Sequence, residues 1–148
     1  MLSTRGRYGL KAMVDLSMAY GRTRLSTASL AQLQGISDTY LEQLVSALKK
    51  AGLIVSTRGA QGGYALARAP ENITVNEVLA ALEGDTTLID CVSATKVDCV
   101  NACTCSARPL WLKLQSRINE VLDSTTLKDM ADDYRTQLER GSNEENLS

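Results

Sequence analysis

The stretch that decides the fold reads GISDTYLEQLVSALKKAG at residues 35–52, followed by LIVSTRGAQGGYALAR at residues 53–68. Apolar side chains recur in its first part with the i, i+3, i+4, i+7 spacing of one helix face: Leu41, Leu44, Val45 and Leu48. Ser37 is a natural N-cap for this helix, and Gly52 is a natural stop. Residues 27–34 predict a shorter helix before it, and two helices around a tight turn indicate a helix-turn-helix.

Strand-like alternation follows the second helix. Residues 53–59 and 64–68 alternate as strands do, and they flank the Gly-rich residues 60–63, which indicates a short hairpin. A helix-turn-helix that is followed directly by a hairpin has the order of a winged helix. We therefore predict a mainly α protein with a small β-hairpin wing.

The remaining chain predicts helices around one irregular segment. Residues 8–20 predict a first helix, Thr74 and Glu77 form a capping box that opens a later one, and Pro109 suits the first turn of a long one. A last helix is predicted to end near Leu138. We expect four regions: a winged helix-turn-helix domain at 1–84, a cysteine-rich loop at 85–107, a dimerisation helix and a C-terminal helix at 108–138, and a disordered tail at 139–148.

The long helix carries an apolar stripe that is larger than the thin C-terminal region can bury. The stripe consists of Leu110, Leu114, Ile118, Val121 and Leu122, with Trp111 beside it. Pairing of two such helices in a homodimer would remove it from water, and packing within one chain is the alternative. We predict the homodimer.

Charge is divided unevenly along a chain whose net charge is −1. Residues 1–70 carry nine Lys/Arg against three Asp/Glu, whereas residues 71–148 carry seven against fourteen. The basic half indicates a polyanion partner such as nucleic acid, although charge also fluctuates by chance along any chain. No apolar run approaches the roughly 18 residues of a membrane span, so we expect a cytoplasmic protein without a membrane partner.

The second helix of a winged helix-turn-helix enters the major groove of double-stranded DNA with its N-terminal residues. In this chain those residues are Ser37, Thr39, Tyr40, Glu42 and Gln43. Gln43 can read adenine through two hydrogen bonds, and Glu42 can accept one from cytosine. An exposed Glu42 without a role is the alternative. Lys49 suits a phosphate contact, which positions a protein without reading sequence.

Arg58 and Gly59 stand at the tip of the predicted wing. A guanidinium on a bare, Gly-rich hairpin can enter a minor groove, where the potential of DNA is most negative. The glycines also have a simpler explanation, a turn that needs positive φ, and this holds whatever Arg58 does. We predict that Arg58 and Gly59 contact DNA.

All the cysteines of the chain lie within one short polar stretch: Cys91, Cys99, Cys103 and Cys105. Their spacing, C-x7-C-x3-C-x-C, contains neither the paired knuckles of structural zinc nor a redox CxxC motif. Thiolates on one loop suit an iron–sulfur cluster. On spacing alone, iron–sulfur binding, zinc binding and thiol redox sensing remain open.

Several segments resemble the Rrf-type bacterial winged-helix regulators, above all the iron–sulfur cluster regulator (IscR-like) branch. They are STRGRYGLKAM at 3–13, the stretch at 36–68, ITVNEVLAALEG at 73–84 and LDSTTLKDM at 122–130. The resemblance implies the same major-groove readers, a wing contact by Arg58 and a backbone contact by Lys49. It also implies a homodimer in which each cysteine loop lies near the partner's DNA-binding domain.

The resemblance further implies an iron–sulfur cluster on Cys91, Cys99 and Cys105, with [2Fe–2S] favoured over [4Fe–4S]. The family's fourth ligand is a histidine, and Arg108 stands at that position in a chain that contains no histidine. A guanidinium stays protonated and cannot bind iron. Cys103, a carboxylate or another group would have to replace it.

We interpret the chain as a DNA-binding transcriptional repressor, not an enzyme, that senses an iron–sulfur cluster and controls cluster biogenesis or iron homeostasis genes. Its partners would be a palindromic operator and a second copy of itself, with no small-molecule substrate. The alternative is a metal-free, zinc-binding or thiol-redox-sensing regulator of the same family. A small iron–sulfur electron carrier is a further reading, but the sequence has no nucleotide loop or catalytic nucleophile motif to support redox enzymology.

Overall fold

The computed structural model describes residues 2–60, 62–84 and 106–147, and it describes residues 146 and 147 by their backbone alone. Six α-helices and one two-stranded sheet make up these residues, which confirms the predicted fold class. In chain order they are α1 (Thr4–Ala19), α2 (Thr27–Gln34), α3 (Asp38–Lys50), β1 (Ile54–Thr57), β2 (Gly63–Leu66), a 3-10 turn (Pro70–Asn72), α4 (Val75–Glu83), α5 (Arg108–Ser124) and α6 (Leu127–Leu147).

The helix-turn-helix consists of α2 and α3 and forms as its sequence predicts. Ser26 and Ser37 cap the two helices, each accepting a hydrogen bond from the backbone N–H three residues later. Gly35 ends α2 with φ of 67°, in the left-handed region that favours glycine. The apolar face of α3 is buried in the core through the four predicted positions, Leu41, Leu44, Val45 and Leu48.

The wing is an antiparallel hairpin that a third segment extends. Ile54 pairs with Leu66 and Thr57 with Gly63. The segment before α2 joins the other edge of β2, because Leu25 and Tyr64 exchange two backbone hydrogen bonds of 3.1 and 2.8 Å. Strand β2 is therefore paired on both edges, with β1 on one side and with the segment between α1 and α2 on the other.

Helix α1 begins at Thr4, four residues earlier than its apolar pattern predicts. The reason is a cap from the far end of α4, where the Glu83 carboxylate accepts hydrogen bonds from the backbone N–H groups of Ser3 (2.8 Å) and Gly6 (3.0 Å). The two helices approach closely at Gly6 and Gly9. A Cβ at Gly9 would lie 2.3 Å from a Leu82 methyl group, so a larger residue there would have to displace the Leu82 side chain.

Helix α4 opens on the predicted capping box. Thr74 Oγ1 accepts from the Glu77 backbone N–H at 3.2 Å, and the Glu77 carboxylate accepts from the Thr74 N–H at 2.8 Å. The hydrogen bond from the Thr74 backbone, helped by Arg68 at 3.0 Å, lowers the pKa of Glu77 below its ordinary value.

The junction between α5 and α6 is fastened to the winged domain by a short backbone ladder. Val75 donates to the Thr125 carbonyl, and Leu127 donates to the Ile73 carbonyl, both at 2.9 Å. Leu127 is fully buried in the same core as the apolar face of α3. Helix α6 then packs along α1, so the C-terminal region is continuous with the winged domain.

The end of α6 differs from the prediction. The polar residues 139–147, expected to be disordered, continue the helix to Leu147. Gly141 costs a helix interior only about 1 kcal/mol, which does not end a helix that already propagates from a buried first turn. Ser142 also donates to the Leu138 carbonyl at 3.0 Å. The other predicted boundaries remain predictions, and the cysteine-rich loop falls almost wholly outside the described residues.

Within the described parts of the chain, no helix combines the length and apolar character that crossing a membrane requires.

Candidate nucleic-acid interface and sensor loop

The first turns of α3 present a polar, solvent-exposed face. Thr39, Glu42 and Gln43 are exposed, and within the described residues none of them forms an ion pair. Ser37 is exposed too, but its oxygen accepts from the Tyr40 backbone N–H at 3.1 Å. These side chains lie on the helix face opposite Leu41 and Leu44, so the hydrophobic core holds the candidate readers outward.

Tyr40 has a structural contact that the sequence did not reveal. Its ring meets the ring of Tyr8 on α1 edge to face, with centroids 6.3 Å apart and planes at 86°. The Lys11 ammonium lies 5.4 Å from the centroid of the Tyr8 ring. Tyr40 is half-buried, and this aromatic pair connects α3 to α1.

Lys49 links α3 to the wing. Its ammonium donates to Ser56 Oγ on β1 at 2.7 Å, and its side chain remains exposed. A lysine at the last turn of α3 also lies favourably at the negative end of the helix dipole. The charge therefore stands where the helix and the hairpin meet, and it remains accessible to a phosphate.

The wing tip requires its glycines and leaves Arg58 accessible. Gly59 has φ of 110°, and its carbonyl accepts from the Gly62 N–H at 2.9 Å. A Cβ on Gly62 would lie 2.2 Å from the Thr57 carbonyl oxygen, so no other residue fits that turn. Arg58 is exposed and forms no ion pair within the described chain. The turn therefore explains the glycines, and the Arg58 guanidinium is at the same time accessible to a ligand.

The base of the cysteine loop is tied to α1 by Glu83. Besides the two backbone bonds, the carboxylate accepts from the Ser3 hydroxyl at 2.6 Å. Burial alone would raise the pKa of Glu83, but the hydrogen bonds from Ser3 and Gly6 together outweigh it and lower the pKa. The residue that precedes the loop by two positions is therefore fixed to the start of the first helix.

The predicted metal ligands Cys91, Cys99 and Cys105, and also Cys103, lie outside the described residues. The described residues themselves contain no group of His, Cys, Asp and Glu side chains that could hold a metal ion. Arg108, which stands where the family resemblance implies a histidine ligand, is the first residue of α5.

Helix α5 leaves part of its apolar stripe exposed to water within a single chain. None of its residues is buried. Leu110 is 52% exposed, Leu114 41% and Val121 61%, and these three lie along one side of the helix. Ile118, Leu122 and Trp111 are half-buried. Helix α5 contacts α4 within the same chain. Leu112, on another side, is 45% exposed.

The matching family model is described as "Rrf2: Iron-dependent Transcriptional regulator" and covers residues 2–133. The transcriptional regulator CymR of Bacillus subtilis (strain 168) is 41% identical over 130 residues, which are 88% of each chain. The regulator IscR of Photobacterium profundum is 37% identical over 147 residues, 99% of this chain and 84% of that one.

Solved structures agree with these sequence relatives. The structure of CymR (YrzC), described as the global cysteine regulator of B. subtilis, has a TM-score of 0.76 and 42% identity, covering 89% of this chain and 96% of that one. The structure of IscR from T. potens has a TM-score of 0.73 and 42% identity, covering 90% and 88%. The chain therefore belongs to the Rrf2 family of transcriptional regulators, as the resemblance of its sequence segments indicated.

Proposed function

We propose that this chain is a homodimeric, cytoplasmic repressor whose grip on a palindromic operator depends on an iron–sulfur cluster held by its cysteine loop. The observation that carries the DNA-binding part is the exposed polar face of α3, which lies next to an accessible arginine on a glycine-closed wing. The sensing part is supported by the concentration of thiols in residues 91–105.

Groove reading is assigned to α3. Glu42 would accept from cytosine N4, Gln43 would read adenine, and Ser37, Thr39 and Tyr40 would complete the contact. Lys49 would hold a phosphate, and Arg58 with Gly59 would enter the minor groove. A carboxylate repels phosphates, so Glu42 belongs on this face only if it discriminates between bases.

The donor set fits a cluster, because thiolates are the usual ligands of iron–sulfur centres. Cys91, Cys99 and Cys105 would supply three ligands. Arg108 cannot supply the fourth, which leaves Cys103, a carboxylate or a group from elsewhere. When bound, a [2Fe–2S] cluster, favoured here over [4Fe–4S], would make the loop responsive to iron and to oxidants. The genes controlled would be those of cluster biogenesis or iron homeostasis.

Two contacts support a physical link between the loop and the reading helix. The loop begins just after Glu83, which holds Ser3 and Gly6 at the start of α1. One turn further along α1, Tyr8 packs against Tyr40 on α3. Ordering of the loop can therefore bias the position of α1 and, through the aromatic pair, of the reading face. A coupling of about 1–3 kcal/mol corresponds to roughly a 5- to 150-fold change in DNA affinity.

A second candidate function is a thiol-based regulator without metal. It is favoured by the 41% identity to CymR, whose structure is described as that of a global cysteine regulator. The replacement of the expected histidine ligand by Arg108 points the same way. In this reading, oxidation of two loop cysteines to a disulfide would replace cluster binding.

Anaerobic purification followed by iron and sulfide counts and a visible spectrum separates these two functions. We expect a coloured dimer that contains iron and inorganic sulfide. Cys91→Ser, Cys99→Ser and Cys105→Ser should each remove most of the iron, and Cys103→Ser should do the same only if Cys103 is the fourth ligand. Colourless protein whose DNA affinity changes on disulfide formation would establish the thiol reading and refute the cluster.

Glu42→Ala tests the reading face. After selection of a preferred duplex from a random-sequence pool, the variant should lose discrimination at one base pair by about 1–3 kcal/mol, because the carboxylate no longer selects cytosine. Asp38→Ala, which removes an acidic residue one turn earlier on the same helix, serves as the control. Unchanged preference at every position after Glu42→Ala would show that this helix face does not read bases.

A further inference from the structure

We propose that Arg22 and Arg24, in the turn between α1 and α2, form a second phosphate-binding site beside the wing. This inference rests on the proposed DNA binding and extends it to residues outside the helix-turn-helix. The ligand is the sugar-phosphate backbone that borders the minor groove on the side of the wing away from α3.

The turn lies directly against the wing. A groove of about 590 Å³ separates them, lined on one side by Tyr20–Arg24 and on the other by Ala60, Gly62 and Ala65. The backbone bonds between Leu25 and Tyr64 hold the two together, and a Cβ at Gly63 would lie 2.8 Å from the Leu25 carbonyl oxygen. The arginines therefore sit at a fixed place beside the wing tip.

The position suits the geometry of a bound duplex. In the sheet, β2 lies between β1 and the Leu25 segment, and β1 is the strand that contacts α3. Neighbouring strands are about 4.8 Å apart, so the turn lies about 10 Å from β1. A minor groove is only about 6 Å wide, so a hairpin that enters it has phosphates on both flanks. Residues 22–24 face the flank that α3 cannot reach.

The charges are available and unopposed. Arg22 and Arg24 are exposed, and neither forms an ion pair in the parts of the chain that the structure describes. The sequence has no Asp or Glu at residues 16–37 or 43–70. The turn and the wing, with Arg58, therefore come from stretches of the chain that carry arginines and no carboxylate, and the acidic residues that bound these stretches along the sequence are Asp15, Asp38, Glu42 and Glu71.

The turn is also ordered before binding. Gly21 has φ of 77°, and the N–H groups of Arg22 and Thr23 both donate to the Ala19 carbonyl, at 3.0 and 3.1 Å. A preordered backbone lowers the entropy that contact with a phosphate costs. A mobile loop with the same two arginines would bind more weakly.

The salt dependence of binding to a 30-base-pair duplex of random sequence tests the site without knowledge of the operator. Counterion release gives a slope of about −0.9 per phosphate contact in a plot of log affinity against log salt. We expect Arg22→Ala with Arg24→Ala to reduce this slope by about 2 for each bound head. Affinity at 100 mM KCl should fall by about tenfold or more.

Three comparisons make the result decisive. Arg22→Lys with Arg24→Lys keeps both charges and should keep the slope, because counterion release depends on charge. Arg140→Ala, which removes an exposed arginine from α6, should leave it unchanged. Thermal unfolding should be the same for all variants, since these side chains are exposed. If the unaltered protein shows a steep slope and the double alanine variant shows the same slope, the site is refuted. A flat response in the unaltered protein would instead refute the proposed DNA binding.

Discussion

A chain that carries Leu114→Glu and Val121→Glu will be monomeric at concentrations where the unaltered protein is a dimer. Both side chains are largely exposed on α5 in one protomer, at 41% and 61%, and pairing of two α5 helices would bury them. Each dimer would then enclose four unpaired carboxylates, and an unpaired polar group costs about 2 kcal/mol or more when it is buried. The dissociation constant of the dimer should rise at least 1,000-fold, or about 4 kcal/mol.

The same variant should lose operator binding, because two linked heads bind two half-sites about 10²- to 10⁴-fold more tightly than one head alone. Light scattering measures the mass of the protein in solution, and fluorescence anisotropy measures its affinity for the operator. Ser116→Glu with Asn119→Glu is the matched control, since it adds two charges to the opposite side of the same helix. A dimer that survives Leu114→Glu with Val121→Glu would show that α5 does not form the interface.

Leu127→Ala will lower the free energy of unfolding by about 2–5 kcal/mol, the range for a buried leucine that leaves a cavity. Leu127 is fully buried, and its N–H donates to Ile73 beside the Thr74–Thr126 bridge. Denaturant unfolding at constant pH gives the value directly.

Leu138→Ala is the control for this change, because it removes the same atoms from the same helix at a site that is 48% exposed. We expect it to alter stability by about 0.5 kcal/mol or less. Equal losses from the two variants would mean that the α5–α6 junction is not part of the core. Since this junction determines where α5 leaves the domain, a loosened junction should also weaken operator binding while the spacing of the two heads becomes variable.

The sequence predicted most of the reading half because its signals are local. The helix caps act on partners only three or four residues away, as Ser37, Gly35 and the capping box of Thr74 and Glu77 do. The apolar spacing of α3 likewise predicts which face is buried. The face that remains is polar and exposed, as a groove reader requires. The wing glycines are equally local, because the turn itself excludes a Cβ at Gly62.

The predictions at the ends of helices were less accurate. The start of α1 depends on Glu83, 77 residues from Gly6, and its apolar pattern contains no sign of that partner. The continuation of α6 depends on a first turn that is buried against the winged domain. The polar composition of residues 139–147, taken by itself, predicts disorder.

What the sequence determined by itself was the order of elements, the exposed polar face of α3 and the concentration of thiols in one segment, since each follows from residue type and short-range spacing. Only the tertiary structure brought Tyr8 to Tyr40, Glu83 to the start of α1, and Arg22 and Arg24 to the side of the wing. Such contacts join residues that are far apart along the chain. They depend on how the elements pack, and no single segment encodes the identity of its distant partner.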